Sequence, residues 1–286
     1  MEWYLLIIIA SLVGAISVIS RKKVLFHEHA LEFSGFRSVV NLFFLVILLF
    51  FIDLKIDTTN VFLLLVCAVL ASLGIIYRNK ATRHDEISEI APLGSLSGLF
   101  VLFLGIIFLA EIPGIMQYVG IFVSILGVYL LEVIPGDVFG PFKKLYNKKA
   151  VKQYGVALIF FSIATIIIRS VVSQVHPLTT MFYLWLMISV MIIAYDFKRN
   201  GLKDIKDFKT DFWMIFMTAF FLFIANILFY YGLSYPAAQA SLAHTLRLSG
   251  NIFATFIGGK MFREDHYLKK SIASIIILIG AVLIIL

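Results

Sequence analysis

Length, composition and charge place this chain in a membrane. Of its 286 residues, 61% are hydrophobic and only 14% are charged, with a mean hydropathy of +1.00. A soluble domain has about 45–50% apolar and about 25% charged residues, which disfavours a soluble enzyme, a secreted disulfide scaffold, a disordered chain and a DNA-binding domain. The single cysteine, Cys67, cannot form an intrachain disulfide.

Unbroken apolar runs predict ten transmembrane helices, because about 20 apolar helical residues are needed to cross a hydrocarbon core. In chain order the predicted spans are residues 3–20, 31–52, 61–77, 87–110, 115–134, 154–172, 178–195, 212–235, 237–259 and 267–286. The predicted fold class is therefore an all-α polytopic membrane protein.

A long basic connection divides the spans into two sets of five. We predict a first five-helix repeat at 1–135, a connecting loop at 136–153 and a second repeat at 154–286. Aligning 86–131 with 239–284 pairs Glu111 with Glu264 and Gly127 with Gly280. An odd number of spans per copy gives the copies opposite orientations, which is the inverted repeat of secondary transporters.

The basic residues predict the orientation in the membrane. Of the 24 Lys and Arg residues, all but Lys55, Arg37, Arg169 and Arg247 fall in or beside odd-numbered connections. The positive-inside rule then makes these connections cytoplasmic and places both termini outside, in a multi-pass protein of the cell membrane. The first span follows no basic segment, which favours an uncleaved helix over a signal peptide.

Several short motifs resemble the EamA-like family of the drug/metabolite transporter superfamily, in its ten-helix, two-copy form. Each family copy ends in a helix, a Leu-Gly-Glu-Arg-like turn and a final helix with a central glycine. Here residues 108–113 precede Gly120 and Gly127, and residues 261–265 precede Gly280. The run 231–242 is similar to the family's junction between the eighth and ninth helices.

Arg37 resembles an arginine found early in the family's second helix, but the chain also departs from the family. Both turns lack a glycine before the glutamate, and the second copy has no arginine that matches Arg37. Relatives usually keep both termini in the cytoplasm, whereas the basic residues here predict termini outside, which leaves the direction of transport open. The resemblance implies a transporter rather than an enzyme, with export of an amino-acid-like metabolite.

Charged residues inside spans are candidate site residues, because burying a charge in lipid is costly. Arg247 lies near the centre of the ninth span, and His244, Arg247 and Asn251 share one helical face. We predict that they bind a carboxylate or phosphate. The alternative is an arginine that holds the bundle together through an internal salt bridge or backbone carbonyls.

Further candidates line the same predicted cavity. In the first copy, Gly94 and Gly98 form a small-residue surface that permits close packing or leaves room for a ligand. Arg37 either lines the cavity mouth or extends to the surface, and Asn41, one turn deeper, favours the cavity. The remaining candidates are Tyr77, Trp185 and Asn226.

Proton coupling needs a buried titratable group, and the candidates are His244 and Glu89. Desolvation would raise the pKa of the Glu89 carboxyl group if the fourth span carries it into the membrane. For Glu89, and outright for Glu111 and Glu264, the alternative is acidic stabilisation of a helix N-terminus. Arg169 lies near a span end, where extension to the surface is common. The segment 27–29 is a poor metal-ligand set, and neither a metal nor a cofactor is predicted.

The repeat and the buried charges predict a secondary transporter of a small organic solute that works by alternating access, and Arg247 favours an anionic or zwitterionic solute. Export of an amino-acid-like solute is what the family resemblance implies. Its partners would be the solute and the bilayer, with no nucleic acid, and it would be a monomer or homodimer. No nucleophile elbow, P-loop or zinc-protease motif is present in the sequence. The alternatives are an intramembrane lipid-processing enzyme and a non-transporting membrane scaffold.

Overall fold

The computed structural model describes residues 2–25, 30–84, 97–132, 137, 139, 149–200, 205–248, 250 and 267–286. Within these ranges the chain forms ten α-helices and one short 3₁₀ segment, Leu49–Phe51. In chain order the α-helices, named α1 to α10 below, are Trp3–Leu25, Ala30–Leu48, Thr58–His84, Ser97–Leu109, Ile115–Glu132, Lys149–Val172, Pro177–Asn200, Ile205–Ser234, Ala240–Leu248 and Tyr267–Ile285.

Six of these helices contain segments long and apolar enough to cross a membrane, as far as the described residues show. The segments are Trp3–Leu25, Leu31–Phe51, Thr58–Ala81, Lys152–Val172, Pro177–Arg199 and Phe212–Ser234. Shorter apolar segments lie in α4, α5 and α10, and α9 is described over nine residues. Large apolar side chains such as Phe43, Phe62 and Phe103 are exposed, as expected for a surface that faces lipid.

Local sequence explains several helix ends. Asp57 caps α3, because its Oδ2 accepts a hydrogen bond of 2.9 Å from the backbone N–H of Thr59. Hydrogen bonds from the Thr59 side chain and backbone lower the pKa of Asp57 below its ordinary value. Pro177 begins α7, where its missing N–H costs nothing. After α4, Ala110 adopts a positive φ of 52° and the N–H of Glu111 bonds to Gly105 O.

The helix packing has an internal regularity. Three pairs of helix contacts correspond to one another. The contact of α1 with α8 corresponds to that of α6 with α3, and the contact of α4 with α6 corresponds to that of α9 with α1. The contact of α3 with α7 corresponds to that of α8 with α2. The remaining large contacts join α2 to α7, α5 to α10 and α4 to α9. Each of these larger contacts is therefore reproduced when every helix is exchanged for the one five positions away in the chain.

The contact of α5 with α10 is the closest of these crossings. A Cβ built on Gly280 would lie 2.8 Å from Gly120 O and 2.5 Å from Ser124 N, and one on Gly127 would lie 2.8 Å from Ile277 N. Glycine at these positions lets the two backbones approach so closely that no Cβ atom would fit between them. The glycines paired by the sequence alignment, Gly127 and Gly280, thus both lie in the same helix crossing.

The helix boundaries differ from the predicted spans in one systematic way. Arg21 and Arg78, expected in cytoplasmic connections, lie inside α1 and α3, which extend to Leu25 and His84. Hydropathy marks the thickness of hydrocarbon that a helix crosses, whereas a helix continues for as long as its backbone hydrogen bonds do. The α-helix of the second span ends at Leu48, and the 3₁₀ segment continues the apolar span to Phe51, one residue before the predicted end.

Candidate functional site

A narrow buried cavity lies between α2, α7 and α8. Its lining residues are Arg37, Ser38, Asn41, Trp185, Ser189, Ala219, Leu222 and Asn226. The cavity volume is about 10 Å³, which is about the room that one water molecule needs. Because α2 belongs to the first five helices and α7 and α8 to the second five, the cavity lies between the two halves of the chain.

Arg37 is the charged residue of this cavity. It is 3% exposed, and its guanidinium carbon lies 5.9 Å from the centroid of the Phe33 ring. Within the described part of the chain it donates no hydrogen bond and pairs with no carboxylate. A buried guanidinium with unused donors is costly to maintain, and none of the described residues satisfies the donors of Arg37.

The neutral polar groups of the cavity are partly bonded to one another. Asn41 Nδ2 donates to Ser189 Oγ at 3.0 Å, which links α2 to α7. Ser38 Oγ donates to the carbonyl of Ser34 at 2.8 Å. Trp185 Nε1 is buried and forms no hydrogen bond of good geometry.

Arg247 lies behind Asn226. Its Nη2 donates to Asn226 Oδ1 at 3.1 Å, and its guanidinium carbon lies 4.3 Å from the centroid of the Phe229 ring. No carboxylate among the described residues pairs with it. Of the two interpretations in the sequence, the internal salt bridge is thus absent from the described residues, and Arg247 is connected to the cavity through one amide.

Further arginines surround this region. Arg78 interacts electrostatically with Arg21, Arg37 and Arg247, and its guanidinium lies 5.0 Å from the centroid of the Phe161 ring. Arg37 and Arg247 are therefore accompanied by further cations, while the carboxylate of Asp196 packs against Gly35 of α2, two residues before Arg37. Sequence reasoning assigned Arg21 and Arg78 to loops and missed this cluster, because the helices extend beyond the apolar runs.

The structure brings four of the predicted site residues together: Arg37, Asn41, Trp185 and Asn226 all line the cavity. It adds Ser38 and Ser189, which sequence reasoning missed. Ser38 follows Arg37 directly, but a serine in an apolar helix usually bonds its own backbone and gives no signal of a site.

Three other predicted site residues lie elsewhere. His244 Nε2 is 2.8 Å from Ser97 Oγ, a contact between α9 and α4. A Cβ on Gly98 would be 3.0 Å from Ile125 Cδ1 and 3.2 Å from Thr245 Oγ1, so close packing fills the space beside it. Tyr77 packs against Phe160 of α6, with ring centroids 6.3 Å apart.

Some predicted residues lie outside the described ranges. They are Glu89, Gly94, Asn251, Glu264 and the segment 27–29.

A second buried cation shows a different arrangement. Arg169 Nε is 2.9 Å from Glu111 Oε1, Nη1 donates to Leu233 O at 2.7 Å, and further bonds reach the carbonyls of Tyr235 and Pro236. Both paired side chains are 11% exposed. We call this group, with the backbone N–H of Ala240, the Glu111–Arg169 cluster.

The Glu111–Arg169 cluster corrects two expectations from the sequence. Arg169 does not extend to the surface, because four acceptors inside the protein hold its guanidinium. Glu111 does stabilise a helix N-terminus, but its Oε2 accepts a hydrogen bond of 2.6 Å from the N–H of Ala240, the first residue of α9, rather than from α5, which follows it in the chain.

Comparison with known proteins now identifies the family. The sequence model of the EamA-like transporter family matches residues 1–133 and again residues 155–286. The chain belongs to the EamA-like transporter family. It is thus a multi-pass membrane protein of the drug/metabolite transporter superfamily, and the predicted family, in its two-copy form, is confirmed.

Solved structures share the fold of this EamA-like chain. One of them, described only as the crystal structure of a protein, superposes with a TM-score of 0.73 at 10% identity and covers 97% of this chain and 94% of that chain. At this identity the likeness shows the fold alone. No curated protein matches the sequence.

Proposed function

We propose that this EamA-like protein is a secondary transporter that moves a small organic solute by alternating access. The observation that carries the proposal is the cavity between the two halves of the chain, where Arg37 is buried with unused donors. A structural arginine finds its acceptors within the protein, as Arg169 does. An arginine without them is available to a ligand.

The two halves provide the moving parts. We infer two five-helix repeats, 1–135 and 154–286, joined by the basic loop 136–153 and inserted with opposite orientations, so that ten helices cross the bilayer. The exchange of helix contacts and the two matches of the family model support this division. Rocking of one repeat against the other would open the cavity to each side of the membrane in turn.

In this proposal Arg37, Asn41, Trp185 and Asn226 bind the solute and Arg247 supports the site from behind Asn226. The solute is amino-acid-like or anionic. The odd-numbered connections are cytoplasmic and both termini lie outside in a cell membrane, as the basic residues predict. Export is the proposed direction, driven by a gradient.

Cysteine accessibility tests the proposal without knowledge of the solute. Cys67 is the sole cysteine, so a Cys67→Ala background permits single substitutions. In that background we expect Ser38→Cys to react with a membrane-impermeant thiol reagent in both right-side-out and inside-out vesicles, because alternating access exposes the cavity to each side.

Ser124→Cys is the matched control, since Ser124 is 2% exposed in the α5–α10 crossing, far from any proposed opening. It should react from neither side. Reaction of Ser38→Cys from one side alone, or from neither, would contradict alternating access and favour a non-transporting scaffold.

A further inference from the structure

The hydrogen-bond directions in the cavity restrict the chemistry of the solute. Arginine has five N–H donors and no acceptor, so its bond to Asn226 leaves no ambiguity about the amide. Asn226 Oδ1 faces Arg247 and its –NH₂ group is turned away from Arg247. Asn226 also lines the cavity, and its –NH₂ has no partner among the described residues.

The other polar groups add mainly donors. Arg37 contributes a guanidinium and Trp185 an indole N–H, and neither can accept a hydrogen bond. Ser189 Oγ accepts from Asn41, which leaves its hydroxyl proton available to a ligand. The acceptors that remain are neutral: Asn41 Oδ1 and the lone pairs of Ser38.

No carboxylate lines the cavity within the described part of the chain. Glu111, the buried carboxylate of the other cluster, is already bonded to Arg169 and to Ala240 N. An ammonium group on a solute would therefore lie near Arg37 with no carboxylate among the lining residues, and close to the Arg247 guanidinium behind Asn226. Desolvating a cation against like charge is strongly unfavourable.

We propose that the solute is a small organic oxyanion, a carboxylate or a phosphate ester, that carries no ammonium group. Its anionic oxygens would lie between the Arg37 guanidinium and the Asn226 amide, with the Trp185 N–H as a further donor. Its carbon skeleton would contact Ala219, Leu222 and the Trp185 ring. This inference rests on the transporter function proposed above and narrows its solute class, since it excludes the free amino acids.

Pairs of solutes that differ in one ammonium group test this selectivity directly. The purified full-length protein in detergent is titrated with glutarate and glutamate, with propionate and alanine, and with ethyl phosphate and phosphoethanolamine, and thermal stabilisation gives an apparent Kd for each. We expect at least one ammonium-free member to bind at least 10-fold more tightly than its partner. The carboxylate and phosphate pairs separate the two oxyanion chemistries.

Two variants tie the selectivity to the cavity. Arg37→Gln should weaken binding of the preferred anion at least 10-fold. Arg199→Gln, which changes an exposed residue at the end of α7, should leave binding unchanged. Asn226→Asp places a carboxylate against Arg247, which neutralises that guanidinium, and should reduce the preference for the ammonium-free anion. Asn60→Asp, the same change outside the cavity, should not.

Three results would overturn the inference: tighter binding of glutamate, alanine or phosphoethanolamine than of their partners, binding of no anion by the wild type, or an unchanged preference in Arg37→Gln. The pair comparison uses the wild type, so it stands even where a variant fails to fold. If the solute pairs contradict the inference but Ser38→Cys reacts from both sides, the proposed transporter function is retained and only its solute class is wrong. Loss of that reactivity would instead remove the transporter function.

Discussion

Arg37, which is buried, and Arg169, which is 11% exposed, are both cations in an apolar helix bundle, yet their contacts differ. Arg169 donates to a carboxylate and to three backbone carbonyls, and so connects α6 with the ends of α4 and α8. Arg37 borders a cavity and donates to no described residue. The number of fixed acceptors, rather than burial, separates a cation that holds the fold from one that is available to a ligand.

The same distinction extends to the carboxylates. Glu111 gives one oxygen to Arg169 and the other to the N–H of Ala240, so it serves both an ion pair and a helix N-terminus. A group with both oxygens committed is poorly placed to carry protons through the protein. The contacts of the Glu111–Arg169 cluster are those of a structural ion pair, whereas solute binding in the cavity is our proposal.

The largest effect is expected from Arg169→Met, which leaves Glu111 buried without its cation. Removal of one partner of a buried ion pair costs about 3–5 kcal/mol of the free energy of unfolding. The unfolding temperature in detergent should fall by a large amount, or no folded protein should be recovered. A variant as stable as the wild type would contradict the structural role of the cluster.

Gly280→Ala should have the next largest effect. Its added Cβ would lie against the backbone of Gly120 and Ser124, and overpacking of this kind costs about 1–3 kcal/mol. Gly14→Ala is the control, because its Cβ would lie 3.7 Å from Ala225 Cβ, an ordinary contact in a helix. If both variants unfold at the same temperature, the α5–α10 crossing is looser than described.

Ala110→Gly, in the turn that precedes Glu111, should give a small gain in the free energy of unfolding. A positive φ costs a residue with a side chain about 1–2 kcal/mol, and the greater freedom of glycine in the unfolded chain offsets about 0.4–1 kcal/mol of that. Ala110→Val should shift the unfolding midpoint in the opposite direction. The two midpoints, measured side by side, would show a strained turn only if glycine is the more stable.

Arg37→Met should have the smallest effect on folding. It removes no hydrogen bond to a described residue and relieves a buried charge, so the free energy of unfolding should stay within roughly 1 kcal/mol of the wild type or rise. A loss as large as that of Arg169→Met would show that Arg37 is also a structural cation. Unfolding curves of the two variants, collected under one condition, make the comparison.

Much of the site could be predicted from polar residues in apolar spans, because any such residue is costly there and marks an internal surface. Arg37, Asn41, Trp185 and Asn226 were found in this way and lie together. His244 and Tyr77 satisfied the same criterion but contact other helices, and the space beside Gly98, predicted as a small-residue surface, is filled by packing. Their spacing along a helix shows which face they share, and it does not show which neighbouring helix that face meets.

Composition, hydropathy and short motifs by themselves determined the membrane class, the helical fold and the family of this protein. Those properties depend on local runs of residues and on the thickness of lipid, both of which are readable along the chain. Only the tertiary structure decided that Arg169 has hydrogen-bond acceptors and that Arg37 has none among the described residues. The acceptors of Arg169, such as Glu111 and Leu233 O, come from segments that are distant in the chain. Whether a buried charge is structural or functional depends on those contacts.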